Sequence, residues 1–181
     1  MKDKNNLTVF IIGGSIAILV IAFFFLVSKG KAVSKPIANT EKQATNDQIG
    51  NDFLGDKGET VKNQEGNIFI DEDKVSDGNL HAFNYYSENT GKTIYFFVVK
   101  ASDGTYRVAA NACEVCFGSK KGFKQIGDQI RCENCQTIYS KDQIATEKGG
   151  CNPRPIDKDA KIVDSKLLIK TLDVEDSSEL F

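Results

Sequence analysis

HAFNYYSENTGKTIYFFVVKASDGTYRVAA, residues 81–110, decides the fold. Three runs rich in Phe, Tyr, Ile and Val are separated by Asn89 to Gly91 and by Asp103-Gly104. Such side chains suit a pleated, half-buried surface. Asn, Asp and Gly tolerate positive φ, so both breaks predict tight turns, and the runs 80–86, 93–100 and 106–110 read as an antiparallel meander. Residues 94–99, IYFFVV, are apolar on both alternating faces. That pattern predicts a central strand covered on each side, and the cysteine-rich stretch that follows offers one cover.

Upstream, residues 67–70 predict one more strand. The acidic group Asp71, Glu72, Asp73 and Asp77 follows it but lacks the complete calcium-loop pattern, and reads as a solvated turn. Residues 28–66 are polar and carry neither period 2 nor period 3.6, so they read as a flexible linker, with at most a small turn against the domain at 49–54. Before them, VFIIGGSIAILVIAFFFLV at 9–27 holds no charge. Nineteen residues span roughly 28 Å as a helix, close to the ~30 Å bilayer core and longer than the apolar region of a secretory signal. The expectation is a cytoplasmic tail at 1–8, a transmembrane anchor at 9–27 and a folded domain at 67–181. The short N-tail places the chain as a single-pass protein of the cell membrane with an extracytoplasmic domain. The expected fold class is mainly β (α+β): a small antiparallel sheet with a zinc-ribbon-like four-cysteine module, preceded by one transmembrane helix.

Of five cysteines, four stand as C-x2-C pairs, Cys113/Cys116 and Cys132/Cys135, with fifteen residues between the pairs. A two-residue loop lets both thiolates of a pair face one centre, and a hairpin about Gly127-Asp128 brings the second pair to the first. Disulfides fit poorly, because bridging within C-x2-C is strained and five is odd. Zinc fits this spacing well and a single iron nearly as well, whereas ferredoxin spacings differ. Cys151, in Gly149-Gly150-Cys151-Asn152-Pro153, exceeds what a closed four-ligand zinc site uses. It points to a second site, ligand exchange or a redox partner, against a free thiol packed in a loop. His81, the single histidine, is the one imidazole ligand available, and shares a strand face with Phe83 and Tyr85. After Cys135, residues 140–146 suggest a short helix with Ser140 as N-cap. Residues 161–163 and 166–171 flank Asp164-Ser165 as a strand pair, and 175–181 suggest a closing helical turn.

The net charge of −2, without a basic run, excludes a phosphate-tracking surface and hence nucleic acid as a partner. No acid, base or activated nucleophile stands in a recognisable arrangement, so no catalytic residue is assigned and an enzyme is not indicated.

Together, LHAFNYY, IYFFVVKASDGTYRVAANACEVCFGSKKGF, IRCENC and GGCNPRPI resemble the FtrD-like family of membrane iron-sulfur proteins. The likeness runs from about Lys74 to the C-terminus. It implies an iron-sulfur centre or iron, with zinc the alternative from spacing, held by Cys113, Cys116, Cys132, Cys135 and Cys151, and it raises His81 as a further ligand. It also implies an electron-transfer or iron-handling accessory of an iron transport system, partnered by an iron permease or other membrane redox components. Larger relatives carry several membrane spans ahead of this domain where this sequence has one apolar run, so no transport path of its own is implied. From the residues alone, a zinc-stapled extracytoplasmic binding module and a thiol oxidoreductase remain alternatives.

Overall fold

The computed structural model describes residues 52–181. The expected tail at 1–8 and anchor at 9–27 lie outside the described residues; among the described residues no helix is long and apolar enough to cross a membrane.

The domain is mainly β. Among the described residues ten strands form: β1 Glu59–Thr60, β2 Asn67–Asp71, β3 His81–Ser87, β4 Lys92–Lys100, β5 Tyr106–Ala110, β6 Phe123–Ile126, β7 Gln129–Cys132, β8 Ile138–Ser140, β9 Pro155–Val163 and β10 Lys166–Lys170. A five-residue helix, α1 at Thr171–Glu175, follows them. The meander is present as β3-β4-β5, antiparallel throughout, with His81 opposite Val98 and Phe97 opposite Ala109. Its turns use the expected chemistry: Gly91 and Gly104 both take positive φ.

The main sheet is larger than expected. Seven strands run in the order β1-β3-β4-β5-β9-β10-β2, and one edge pair, β1 with β3, is parallel. The strand at 67–71 lies at the far edge, paired with β10 rather than beside the meander. Register shifts between β5 and β9 interrupt the ladder; bulges of this kind bend a strand and sharpen its twist. The sheet accordingly curls. Ile68, Ile70, Leu167 and Ile169 from one end share a core with Phe83, Phe96 and Val98 from the other.

The side chains of 94–99 are all buried, as their two-faced apolarity predicts. Ile94, Phe96 and Val98 face the curled core. Phe97 and Val99 face the opposite way, onto Cys113, Phe123, Ile130, Cys132 and Ile144. The cysteine module is thus the second cover. It is a three-stranded sheet, β6-β7-β8, with Gly127 at positive φ in the hairpin. The short helix expected at 140–146 is instead β8 followed by one 3-10 turn at Lys141–Gln143. The Ser140 N–H donates to Gln143 Oε1 at 2.9 Å, and Ala145 at positive φ stops the turn from extending.

Residues 52–66, expected within the flexible linker, pack on the domain. Phe53 is buried and stacks on Tyr95 with ring centroids 4.1 Å apart. The buried Asn84 binds the next segment, donating to the Lys57 carbonyl at 2.9 Å and accepting from the Thr60 hydroxyl at 3.0 Å. Gly58 makes this approach possible: a Cβ there would lie 2.0 Å from the Ala82 carbonyl. Contacts with the sheet therefore begin before residue 67.

Candidate metal centre

Each cysteine is placed by a different piece of local structure. Cys113 follows β5 by way of Asn111, a fully buried side chain whose Oδ1 accepts from the Phe123 N–H at 2.7 Å and whose Nδ2 donates to the Asp56 carbonyl at 3.2 Å. That clasp ties β5, β6 and the N-terminal segment together two residues before the first thiol. The chain then turns, with the Phe117 N–H donating to the Cys113 carbonyl at 3.0 Å, and delivers Cys116 into the 3-10 turn Phe117–Ser119. Cys132 ends β7, and the next turn closes when the Gln136 N–H donates to the Cys132 carbonyl at 3.0 Å. Gln136 takes positive φ there. The first pair therefore sits between β5 and β6 rather than at a hairpin strand end, while the second follows β7 as expected.

Cys151 arrives on a loop in which Gly149 and Gly150 both take positive φ. Consecutive left-handed residues are cheap only for glycine, which gives the Gly-Gly-Cys order a backbone reason. The Arg154 N–H donates to the Ala112 carbonyl and the Ala110 N–H to the Arg154 carbonyl, at 3.1 and 2.9 Å. These bonds hold the loop beside the first pair.

All five thiols converge. Cys113, Cys116 and Cys132 form one group with sulfurs mutually within 4.8 Å, and Cys116, Cys135 and Cys151 form a second. Cys135 Sγ lies 3.1 Å from Cys151 Sγ, and Cys116 Sγ lies 3.6 Å from it. Cys113 and Cys132 are buried, Cys116 and Cys151 half-buried, and Cys135 exposed.

The thiol acidities are set by burial at two cysteines and by hydrogen bonds at two others. Burial pushes the Cys113 thiol up, opposed by the backbone N–H groups of Cys116 and Val115. Burial likewise pushes Cys132 up to about 12, against the N–H groups of Cys135 and Asn134. The two pairs thus repeat one device, in which the first cysteine of C-x2-C receives N–H groups from its own turn, and these also suit a thiolate once a cation is bound. Cys135 is lowered to about 6, first by the Thr137 hydroxyl, 3.2 Å from its sulfur, and then by Cys151. Cys151 is pushed up, first by its hydrogen bond to Cys135 and then by burial.

Two neighbours escaped sequence reasoning. Thr137 touches Cys135. Tyr139, packed against the cluster, has its phenol pushed up to about 12 by burial and then by the surrounding thiols. The signal was their position two and four residues beyond Cys135, on the way into β8.

His81 is not brought to the cysteines. Its Nε2 lies 2.7 Å from Asp77 Oδ1. Along β3 it shares a face with Phe83 and Tyr85, which face the curled core, whereas the preceding Leu80 packs on the cysteine side. Asp77 also accepts from the backbone and side chain of Asn79, so the acidic stretch organises a turn, as expected.

Comparison with known proteins adds a family. The family model described as "Membrane iron-sulfur containing protein FtrD-like" matches residues 75–181, more than half the chain and inclusive of all five cysteines. The chain belongs to the FtrD-like family. No curated protein and no solved structure matches it. The matched part of this FtrD-like protein starts just before β3, so the clasp made by residues 53–61 lies outside the match. The donor set fits the group the family name implies. Among the described residues, both clusters able to hold a metal are built from thiols alone, without carboxylate or imidazole. Soft sulfur donors select iron in iron-sulfur chemistry, zinc and copper(I) over hard cations.

Proposed function

We propose that this FtrD-like domain is a membrane-anchored, thiolate-held iron or iron-sulfur centre that passes electrons to, or hands iron to, a neighbouring iron transport system. The observation that carries this reading is the convergence of five sulfurs graded from buried to exposed. Electron or ion transfer needs one side of a centre open to a partner, and the exposed Cys135 beside Cys151 supplies it. In the same reading, residues 9–27 anchor the chain as a single span, residues 1–8 lie in the cytoplasm, the domain is extracytoplasmic, and an iron permease is the partner.

When bound, an iron centre supplies one-electron chemistry at a potential set by burial and by hydrogen bonds to its sulfurs. The chain's residues do the rest. Phe97, Val99 and Ile130 exclude water from the Cys113 and Cys132 side. The Asn111 clasp fixes the first pair, the glycine loop presents Cys151, and the Thr137 hydroxyl supports negative charge on Cys135.

The test is anaerobic purification of the full chain in detergent, with iron, zinc and acid-labile sulfide measured per chain alongside an absorption spectrum. Iron with sulfur-to-iron charge-transfer bands is expected. Stoichiometric zinc without iron would refute the reading in favour of a zinc-stapled module, and a metal-free chain with cycling disulfides would favour a thiol oxidoreductase.

A further inference from the structure

We infer that the five thiols make two adjoining three-sulfur sites that share Cys116, so that the chain holds two metal ions bridged by one thiolate, the inner ion retained and the outer exchangeable. This deepens the reading of the cluster as a metal centre and rests on it. Four sulfurs around one tetrahedral ion lie roughly 3.7 Å apart, because a metal-sulfur bond is about 2.3 Å. Here the sulfurs do not gather as one foursome. They fall into two groups of three, and Cys116 belongs to both. One ion using four cysteines strands the fifth beside it; two ions sharing Cys116 use all five.

Charge points the same way. Five thiolates around one divalent cation leave three negative charges, whereas around two they leave one. In the metal-free chain a shared proton lets Cys135 and Cys151 approach to 3.1 Å; once both are ionised as ligands, a cation on that side takes the proton's place. Each site then has three protein sulfurs and an open position, the arrangement of centres that exchange a ligand rather than of closed structural ones. The sites differ in access. Cys113 and Cys132 are buried, the first just after the Asn111 clasp and the second at the end of β7, while Cys135 is exposed and Cys151 comes from the Gly149-Gly150 loop. The inner ion lies among buried sulfurs, and the outer one has the exposed Cys135 as a ligand.

The experiment titrates the anaerobic, metal-free full chain with Co2+, counting bound ions by elemental analysis and following thiolate-to-cobalt absorption and the electron paramagnetic resonance signal. Two ions per chain are expected. The resonance should rise with the first equivalent and fall with the second, as spins couple through the shared sulfur. Cys151→Ser should keep the first equivalent and lose the second. Cys116→Ser should abolish the coupling, with unchanged near-ultraviolet circular dichroism reporting an intact domain. Thr137→Val should weaken only the second equivalent, by roughly 10-fold to 100-fold as for other groups that support a ligand. A chelator added to the doubly loaded chain should remove one ion in a fast phase and the other slowly. One ion, two uncoupled ions, or loss of both in one phase would overturn the inference while leaving a metal centre standing. No bound cobalt at any ratio would overturn the metal reading as well.

Discussion

Phe53→Ala tests whether the segment ahead of the family match belongs to the folded unit. Phe53 is 3% exposed, stacks on Tyr95 at 4.1 Å and meets Phe181 edge-on at 5.9 Å. Truncating a buried Phe costs about 3–5 kcal/mol through lost transfer energy and the cavity left behind. Each aromatic pair adds about 0.5–1.5 kcal/mol beyond area. The lower end of the range is the better expectation, because Phe53 lies outside the strands and its neighbours can settle inward. At about 3 kcal/mol, a domain of this size should melt about 10 °C lower. All five tyrosines lie between residues 85 and 139 and the chain has no Trp, so near-ultraviolet circular dichroism of tyrosine reports on the domain alone. Phe53→Leu, which keeps most of the apolar volume, should recover more than half of the loss. A Phe53→Ala midpoint within about 2 °C of the parent, less than 1 kcal/mol, would refute the placement of residues 52–66 on the sheet.

Three further outcomes follow from buried or paired groups. Burial alone would raise the Glu175 carboxyl, but hydrogen bonds from Ser87, Asn89 and Tyr85 outweigh it and hold the group below the usual range. Its stabilising effect is therefore present above the unfolded pKa of about 4.3 and is lost as pH falls through the lower folded value. Glu175→Gln should cost about 1–3 kcal/mol at pH 7 and flatten the acid limb of a plot of midpoint against pH; an unchanged acid limb would count against the buried cluster. Asn111→Ala should cost about 1–3 kcal/mol in urea melts by leaving the Phe123 N–H unpaired, and should also lower metal retained after dialysis. His81→Ala should leave metal content and absorption unchanged, since His81 pairs with Asp77 on the opposite face of β3; loss of metal would restore it as a ligand.

What could be read from the sequence was local. The meander, its glycine turns and the hairpin at Gly127 depend on residues within a few positions of one another, and IYFFVV needs no partner to declare itself two-faced. What escaped was non-local. Nothing in NIFID says that it pairs with KLLIK a hundred residues later, and Glu59–Thr60 is too short and polar to announce a strand. Gly58 resembles any linker glycine until the Ala82 carbonyl is seen against it. At the centre, C-x2-C spacing tells which thiols share a turn but not how two turns and a loop interleave, so a four-cysteine cage was the natural reading and the sharing of Cys116 lay out of reach. For His81, the face shared with Phe83 and Tyr85 was legible, but not which face the cysteine module would cover.

The placement of the module on β4 explains why the sulfurs differ from one another. A three-stranded sheet of three- and four-residue strands is too small to be stable alone and must borrow a face. It borrows Phe97, Val99 and Ala109. The cysteines packed on that face, Cys113 beside the Asn111 clasp and Cys132 at the end of β7, are thereby the buried ones. The same docking leaves the far side of the module to loops, and it is from a loop and a turn that Cys151 and Cys135 come. Buried and exposed sulfurs are thus separated by the way one small sheet rests on another. Cys116 belongs to both sulfur groups, because its turn after β5 meets the loop of Cys151 on one side and the end of β7 on the other.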